Sequence, residues 1–386
     1  MSAGSAPSRA ERLARVALCR LTEPANPELA RRVAAGGAEA LYEELRSPRG
    51  SSAPEAAADV AARLADLDPA GDLRRAEQVG ARFVIPGDDE WPEQLDPLTA
   101  AEPVGHQGGA PIGLWVRGRL HLAETMARAV AVVGARSATT YGGDVAVEIA
   151  AGVSEAGYTV VSGGAFGIDL AAHRGALASH RPTVAVMACG PDRVYPLDHR
   201  ELIDHIARTG LVVSDLAPGC TPTKWRFLAR NRIIAGLSLG TVVVEAATRS
   251  GAANTASWTE SLHRPVMGVP GPITSAQSEG VHRLIRTRGA LLVTRAAEVL
   301  EVVAPMGEHL MPDVVGEVRP TDGLRLLDQQ VLDAVPISVA ADLDQITRHA
   351  GLAASSVELA LGRLADLGHV RLDQGRWRKA PRCRSA

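Results

Sequence analysis

Short apolar runs separated by helical segments dominate the middle of the chain. Each run ends in a small or polar residue, and the seven runs are 129–135, 158–164, 183–190, 210–215, 240–246, 265–271 and 290–293. Near-continuous hydrophobic strands that alternate with helices are typical of a parallel sheet covered on both faces. Because crossovers between parallel strands are right-handed, the pattern predicts an α/β, Rossmann-like, doubly wound and mostly parallel sheet.

The segments on either side of this core follow other patterns. Helical spacing of apolar residues, interrupted by glycines and prolines, predicts a small helical domain over 1–78. Residues 304–322 lose the pattern of the core and are predicted to be a linker. Three short helical segments and a two-stranded tip then predict a winged helix over 323–386, whose third helix would be the recognition element if this unit bound duplex DNA. The Rossmann-like core is accordingly predicted to span 79–303.

Composition narrows the classes of function. The formal net charge of −3 excludes a uniformly basic protein, so that a polyanion site has to be a local patch. The four cysteines form no CxxC pair and have no metal-site spacing, and we expect no metal site and no bound cofactor. No secretory signal opens the chain and no apolar run approaches the ~18 residues of a membrane span. We therefore expect a soluble, cytoplasmic protein.

One cationic segment leads directly into a buried strand. Its cations are Lys224, Arg226, Arg230 and Arg232, and no Asp or Glu occurs over 216–244. Only two of the 41 Lys and Arg residues are Lys, and Lys224 is one of them. Trp225 and Phe227 are interleaved with the cations, a combination typical of single-stranded nucleic-acid sites, although a solvated helix face is the alternative. Because Arg230 and Arg232 point away from each other on a helix, one of them is expected to be structural, and Trp225 to lie in the core or an interface.

Two features after the predicted strands indicate an anion site. The stretch SGGAFGID (162–169) runs from a strand through glycines into a helix, where converging backbone N–H groups favour an anion. It matches neither GxGxxG nor a Walker A motif, and a tight turn without a ligand is the alternative. Arg136 follows the first strand at the predicted switch point, where phosphate contact and a structural salt bridge are both open.

Catalytic interpretations have less support. Asp169 and His173 stand at i and i+4 of one predicted helix, but no nucleophile or metal partner accompanies them. Glu245 ends a predicted buried strand and is expected to hold a backbone amide or an arginine rather than act as a base. Asp192 and Tyr195 lie in a loop whose role the sequence leaves open.

Several motifs occur together in a fixed order. They are VVGARSATTYG (132–142), SGGAFGID (162–169), FLARNRIIAGLS (227–238), VVVEA (242–246), SGAANTA (250–256) and SEGVHRLI (278–285). Over residues 130–295 the chain thus resembles the DNA-processing protein A (DprA/Smf) family of bacterial natural transformation. Two departures are the leucine at 228, where the family usually has proline, and the aspartate at 215, where Ser-Glu is usual.

The resemblance implies a non-enzymatic, homodimeric protein that binds and protects incoming single-stranded DNA and helps to load the RecA recombinase. It also implies a SAM-like fold for the N-terminal helices and a winged helix at the C-terminal end. The residues carried over to DNA binding are Arg136, Ser162, Gly163, Gly164, Lys224, Phe227, Arg230, Asn231, Ser250 and Gly251. A Rossmann-like nucleotide hydrolase and a winged-helix transcription regulator are the alternative functions.

Overall fold

The computed structural model describes residues 6–47, 54–248, 250–310 and 321–380. Met1–Met311 form one compact unit and Pro312–Ala386 a second. The greater part of the predicted linker at 304–322 lies outside the described residues. In the described parts, no helix is long and apolar enough to cross a membrane.

The first unit begins with five helices. They are α1 Arg9–Leu21, α2 Pro27–Gly36, α3 Ala38–Arg46, α4 Pro54–Ala65 and α5 Pro69–Gln78. Side chains of Ser8, Asn26 and Asp68 accept hydrogen bonds from first-turn amides and so fix the starts of α1, α2 and α5. Val16 of α1 packs with Phe83 of the sheet, which joins the helices to the core in one unit. The predicted boundary at residue 78 and the SAM-like fold stay predictions.

A nine-stranded sheet forms the centre of this unit. Its strands are β1 Ala81–Val84, β2 Leu114–Arg117, β3 Ala129–Val133, β4 Thr159–Ser162, β5 Thr183–Val186, β6 Leu211–Ser214, β7 Gly240–Val243, β8 Val266–Gly268 and β9 Leu291–Leu292. Their order is β1-β2-β6-β5-β4-β3-β7-β8-β9. The pairings from β6 to β9 are all parallel, whereas β2 is antiparallel to both β1 and β6. Each of the seven predicted runs contains a strand, and the doubly wound fold is confirmed.

Helices cover both faces of the sheet. They are α6 Leu122–Met126, α7 Thr140–Glu155, α8 Ile168–Ala178, α9 Arg200–Thr209, α10 Lys224–Leu237, α11 Gly251–Ser261, α12 Ala276–Arg288 and α13 Ala296–Val303, with 3-10 helices at Glu93–Thr99 and Leu197–His199. One buried cluster joins α10 and α11 to the sheet through Ile233 and Trp258, and another joins α7 and α8 through Ile149 and Ile168. Full burial of each such side chain contributes about 1.5–3 kcal/mol relative to exposure.

The position of β3 fixes where a ligand can enter. The chain leaves β3 for β4 on one side, and β7 later pairs with β3 on the other side. The loops that follow β3 and β7 therefore diverge and leave a crevice at the carboxyl ends of the strands, as at the switch point of other doubly wound sheets.

The second unit contains three helices and a hairpin. They are α14 Leu326–Ala334, α15 Leu343–Ala350, α16 Ala354–Asp366, β10 Val370–Asp373 and β11 Arg376–Lys379. Ile346 and Leu361 belong to its own buried core, and an isolated bridge pairs Ala341 with Trp377. The sequence of elements is the one expected, and the identification as a winged helix stays a prediction.

Candidate functional site

A cavity of about 630 Å³ lies at the switch point of the sheet. The loops after β3 and β7 and the first turns of α10 and α11 enclose it. Seven of the residues predicted from the sequence line it: Arg136, Lys224, Phe227, Arg230, Asn231, Ser250 and Gly251. The fold thus brings into one site residues that lie more than 100 positions apart in the chain.

An aromatic ring lies at the centre of the cationic side of this cavity. The guanidinium carbon of Arg136 is 4.6 Å from the centroid of the Phe227 ring, and that of Arg230 is 5.9 Å from it. The ring of Tyr195 lies 5.7 Å from the same centroid and is 46% exposed. Both arginines are within the range of a favourable cation–π interaction with the ring.

Lys224 stands at the opening of the cavity. It is the first residue of α10, whose start is fixed by the Thr223 hydroxyl, which accepts a hydrogen bond from the Arg226 backbone N–H at 3.3 Å. Lys224 and Arg136 are exposed and form no ion pair with any described residue. Among the described lining residues, Asp169 is the one carboxylate, against three cations. The cavity therefore has a positive potential in a chain whose net charge is −3.

Arg230 is the buried member of this cationic group. It is 4% exposed, and its Nη1 donates hydrogen bonds to the carbonyl oxygens of Gly163, at 2.6 Å, and Val186. Burial lowers the pKa of Arg230 to about 10, and the charge of nearby Asp169 opposes that shift. Because this pKa is still well above neutral pH, Arg230 is a fixed positive charge in the wall of the cavity.

The predicted anion turn faces into the protein. Burial raises the pKa of Asp169, while Arg230 and the Ala165 backbone N–H, which donates to the carboxylate at 3.4 Å, act to lower it. A Cβ atom on Gly163 would lie 2.4 Å from a guanidinium nitrogen of Arg230, so only glycine fits there. The turn thus places a backbone carbonyl and amides around an arginine and a carboxylate of the chain itself.

Three predicted residues of that turn are consequently absent from the cavity lining. Ser162 is fully buried, and its hydroxyl donates to the Val132 carbonyl oxygen at 2.7 Å. Gly163 and Gly164 are buried beneath the lining residues, and the Gly164 carbonyl contacts His199 at 3.0 Å. Contact of these three residues with DNA stays a prediction.

No hydrogen bond joins Asp169 and His173, the two residues whose i, i+4 spacing suggested an acid–base pair. Instead His173 Nδ1 lies 2.8 Å from the hydroxyl of Thr183, which itself donates to the Val160 carbonyl oxygen. Burial, with a further contribution from Arg230, lowers the pKa of His173 to about 3. A neutral, fully buried imidazole at neutral pH is a structural group here.

Polar contacts beneath the cavity hold its walls together. Glu245 accepts hydrogen bonds from the backbone N–H of Thr139 at 2.9 Å and from its hydroxyl at 2.5 Å, which confirms that it holds a backbone amide. The Asn231 amide donates to the Gly251 carbonyl oxygen at 3.2 Å and so connects α10 to α11. Ser250 caps α11 by accepting from a backbone N–H of its first turn.

The other cations of the segment face the N-terminal helices. Arg226 forms a two-pronged ion pair with Glu23, with both N–O distances 2.8 Å. Arg232, which is 2% exposed, pairs with Asp215 at 2.8 Å. Trp225 donates its indole N–H to a backbone carbonyl of the loop after α1 at 3.4 Å. It therefore lies where α10 meets the N-terminal helices of the same unit. Arg232 is thus the structural member of the Arg230/Arg232 pair.

Two residues of the loop after β5, Asp192 and Tyr195, have contacts that the sequence did not predict. Tyr195 lines the cavity beside Phe227, and the signal for it was an aromatic residue following the carboxyl end of a strand. Asp192 accepts a hydrogen bond from the Gly219 backbone N–H at 2.8 Å and so fixes the loop that precedes α10.

Comparison with known proteins places this arrangement in a family. Residues 82–304 match the profile of the family described as DNA recombination-mediator protein A. A DNA processing protein DprA of Mycobacterium tuberculosis is 42% identical over 369 residues, which cover 94% of this chain and 92% of the relative. DprA of Streptococcus pneumoniae is 41% identical over 191 residues, which cover 50% of this chain and 66% of that one.

Solved structures agree with the sequence comparisons. The X-ray structure of DprA from Streptococcus pneumoniae superposes with a TM-score of 0.62 at 29% identity, covering 77% of this chain and 98% of that chain. A structure of DNA processing protein A from Helicobacter pylori, described for its single-stranded DNA binding mode, gives a TM-score of 0.50 at 25% identity, covering 57% and 94%. The chain therefore belongs to the DNA recombination-mediator protein A family, the DprA/Smf proteins of DNA processing.

Proposed function

We propose that this protein binds single-stranded DNA in the switch-point cavity and that it does so without catalysing a reaction. The observation that carries the proposal is the lining of the cavity, which combines Arg136, Lys224 and Arg230 with Phe227, whose ring lies close to both arginine guanidinium groups. Exposed cations beside aromatic rings bind a single strand by tracking its backbone and stacking its bases.

Four of the lining residues have a part in this proposal. Arg136 and Lys224 are exposed and without carboxylate partners among the described residues, so they bind phosphates. Arg230 is held in place by two backbone carbonyls and supplies a fixed charge rather than a moving contact. The Arg136–Phe227 pair, 4.6 Å apart, is the platform on which a base stacks.

The solved relative from Helicobacter pylori supports this assignment, since its structure was described for binding of single-stranded DNA. By the same family membership we propose the wider role: a cytoplasmic homodimer that protects incoming strands in natural transformation and helps to load RecA. Membership of a family of DNA recombination mediators supports a recombinase partner.

The absence of catalysis is proposed from the state of the titratable groups at the site. Glu245 is 1% exposed and is occupied by Thr139, and His173 is buried with its pKa lowered to about 3. Asp169 is 6% exposed and faces Arg230 and the Ala165 amide. A nucleotide hydrolase needs a carboxylate or imidazole free to act on water, so release of base or phosphate from nucleoside monophosphates would contradict the proposal.

The test of DNA binding is fluorescence anisotropy with a labelled ~30-nucleotide single strand and the matching duplex across a salt series. We expect preference for the single strand, and Lys224→Ala to weaken binding and lower the log–log salt slope by about 0.7, the value for one phosphate contact. Arg286→Ala is the matched control, because Arg286 is exposed on α12 and does not line the cavity. Equal or duplex-favoured binding that Lys224→Ala leaves unchanged would refute the site.

A further inference from the structure

A type II β-turn lies between strand β6 and helix α10. Residues 217–220 read APGC, and the Cys220 backbone N–H donates to the Ala217 carbonyl oxygen at 3.1 Å. Proline at the second position and glycine with a φ of +83° at the third are typical of this turn. The residues that follow it, Pro222 and Thr223, line the switch-point cavity. The conformation of the turn therefore sets where the chain enters the cavity wall.

The central peptide of this turn is bonded on both sides. Its carbonyl oxygen, on Pro218, accepts a hydrogen bond from Nη2 of Arg20, a residue of α1. Its N–H, on Gly219, donates to a carboxylate oxygen of Asp192 at 2.8 Å. Type I and type II turns differ in the direction of this central peptide. The two side chains thus fix the direction, and one of them comes from the N-terminal helices.

Arg20 is itself held in place. Its Nε and Nη2 donate to the two carboxylate oxygens of Asp72 on α5 at 2.8 and 2.6 Å, and Asp72 is 2% exposed. Its Nη1 lies 3.8 Å from the sulfur of Cys220. Arg20 is not among the described residues that line the cavity. Because the planar guanidinium fork is occupied by groups of the chain itself, Arg20 acts on a ligand only through the turn.

A short loop connects the held turn to the cations of the cavity. All of residues 215–223 lie outside helices and strands, and Pro222 has no N–H to donate. Thr223 ends the loop and caps α10, and Lys224 is the next residue. A loop that a ligand has to order lowers the affinity for that ligand, whereas a loop already fixed in the free protein avoids the entropy loss. Fixing the turn therefore favours binding in the cavity.

We propose that Arg20 is a positioning residue for the DNA cavity, and that through it the N-terminal helices set the affinity for single-stranded DNA. The inference rests on the proposed function of the cavity. Arg20 fixes the turn at 217–220, the turn fixes the loop, and the loop presents Lys224. Because coupling between two sites is reciprocal in binding free energy, a strand in the cavity also stabilises the contact between α1 and the turn.

The experiment compares two arginines of α1 in the full chain. Arg12 has the same kind of contacts as Arg20, because it bonds to both carboxylate oxygens of Asp88 and to one backbone carbonyl oxygen. Arg12→Ala and Arg20→Ala therefore remove the same charge and the same kind of ion pair, but only Arg20→Ala frees the turn. Asp72 keeps Arg75 as a partner in the Arg20 variant, so no buried carboxylate is left unpaired.

Fluorescence anisotropy with a labelled ~30-nucleotide single strand measures affinity across a salt series, below the thermal midpoint of each variant. We expect Arg20→Ala to weaken binding about fivefold or more, the lower end of couplings between sites, and Arg12→Ala to leave the affinity unchanged. The log–log salt slope should stay the same in both variants, since a positioning residue contacts no phosphate. Hydrogen exchange of the backbone amides of 215–223 should become faster in Arg20→Ala alone.

A second variant disturbs the turn without touching α1. Gly219→Ala meets no neighbouring atom but opposes the positive φ, and it alters no charge, so we expect weaker binding at an unchanged slope. Equal affinities of Arg12→Ala and Arg20→Ala overturn the proposal. A slope lower by about 0.7 in Arg20→Ala also overturns it, because Arg20 would then contact a phosphate directly. Failure of the cavity itself is recognised separately, by single-strand binding that Lys224→Ala leaves unchanged.

Discussion

The two sides of helix α10 use the same kind of charge for different purposes. On the cavity side, Lys224 is exposed and unpaired among the described residues, and Arg230 forms part of the cavity wall. On the side of the N-terminal helices, Arg226 and Arg232 are each bound to a carboxylate. Of these four cations within nine residues, two thus line the cavity and two are held in ion pairs.

The difference shows that a cluster of charges in a sequence is not in itself a binding site. Arg230 and Arg232 are two residues apart and so lie about 200° apart around the helix axis. Arg230 reaches the carbonyls of Gly163 and Val186, whereas Arg232 reaches Asp215. The partner that each side chain meets in the folded protein decides whether its charge is available to a ligand.

The largest effect expected from this comparison is on stability. Arg232→Ala leaves Asp215 buried without its partner, and breaking a buried pair in this way costs about 3–5 kcal/mol. Urea unfolding of the first unit, followed by circular dichroism, measures the loss. Adding Asp215→Ala should recover part of it, because the uncompensated charge is then removed. A loss below about 1 kcal/mol in Arg232→Ala would mean that the pair does not hold α10.

Acid should destabilise the frame beneath the cavity through His173. Its folded pKa, about 3, is below the ordinary 6.5, so the unfolded chain binds the extra proton between these values. The contribution of the neutral His173 to the free energy of unfolding is therefore fully present above pH 6.5, and it falls by about 1.4 kcal/mol per pH unit below that value. Urea midpoints at pH 7, 6 and 5 test this. The pH dependence of the urea midpoint should be reduced in His173→Gln and retained in His106→Gln, a change at an exposed histidine. Equal pH dependence in the two variants would refute the role of His173.

The fold was predictable where the chain is buried on both sides. Strands β3 to β8 follow from apolar runs, because a parallel strand between two layers of helices has no polar face. The edge strand β9 also follows from an apolar run, although its two leucines are exposed. Strands β1 and β2 escaped prediction. They are four residues long and antiparallel, and they carry Arg82 and Arg117 among apolar residues. Neither the two-residue period of a strand nor the 3.6-residue period of a helix therefore stands out in their sequences. Trp115, fully buried between them and the helices, was the available signal.

The candidate site was predictable as far as strand ends determine it. Arg136 and Ser250 follow β3 and β7, which the sheet order makes neighbours, and they line one cavity. The glycine turn was a different matter. Its inward direction depends on Arg230, 67 residues further along, and on Asp169, and no local pattern reports such a contact.

On the cavity side, removal of the aromatic platform should weaken DNA binding without changing its electrostatics. Phe227→Leu retains an apolar side chain but loses stacking, which contributes about 1–3 kcal/mol per base, a roughly 5- to 150-fold loss in affinity. The salt slope should be unchanged, in contrast to Lys224→Ala. Tyr195→Phe, which keeps the neighbouring ring, is the control. An affinity equal to that of the unaltered protein would exclude Phe227 from base contact.

The smallest effect is expected at the opposite side of α10, from Glu23→Gln. The Glu23 side chain is 52% exposed, so the pair with Arg226 contributes only about 0.2–1 kcal/mol to stability, and less in high salt. The substitution releases Arg226 from its carboxylate but leaves it outside the cavity lining, so the salt slope of single-strand binding should stay the same. A steeper slope would show Arg226 reaching a phosphate once freed. The division of α10 into a binding side and a structural side would then depend on Glu23 rather than on the geometry of the helix.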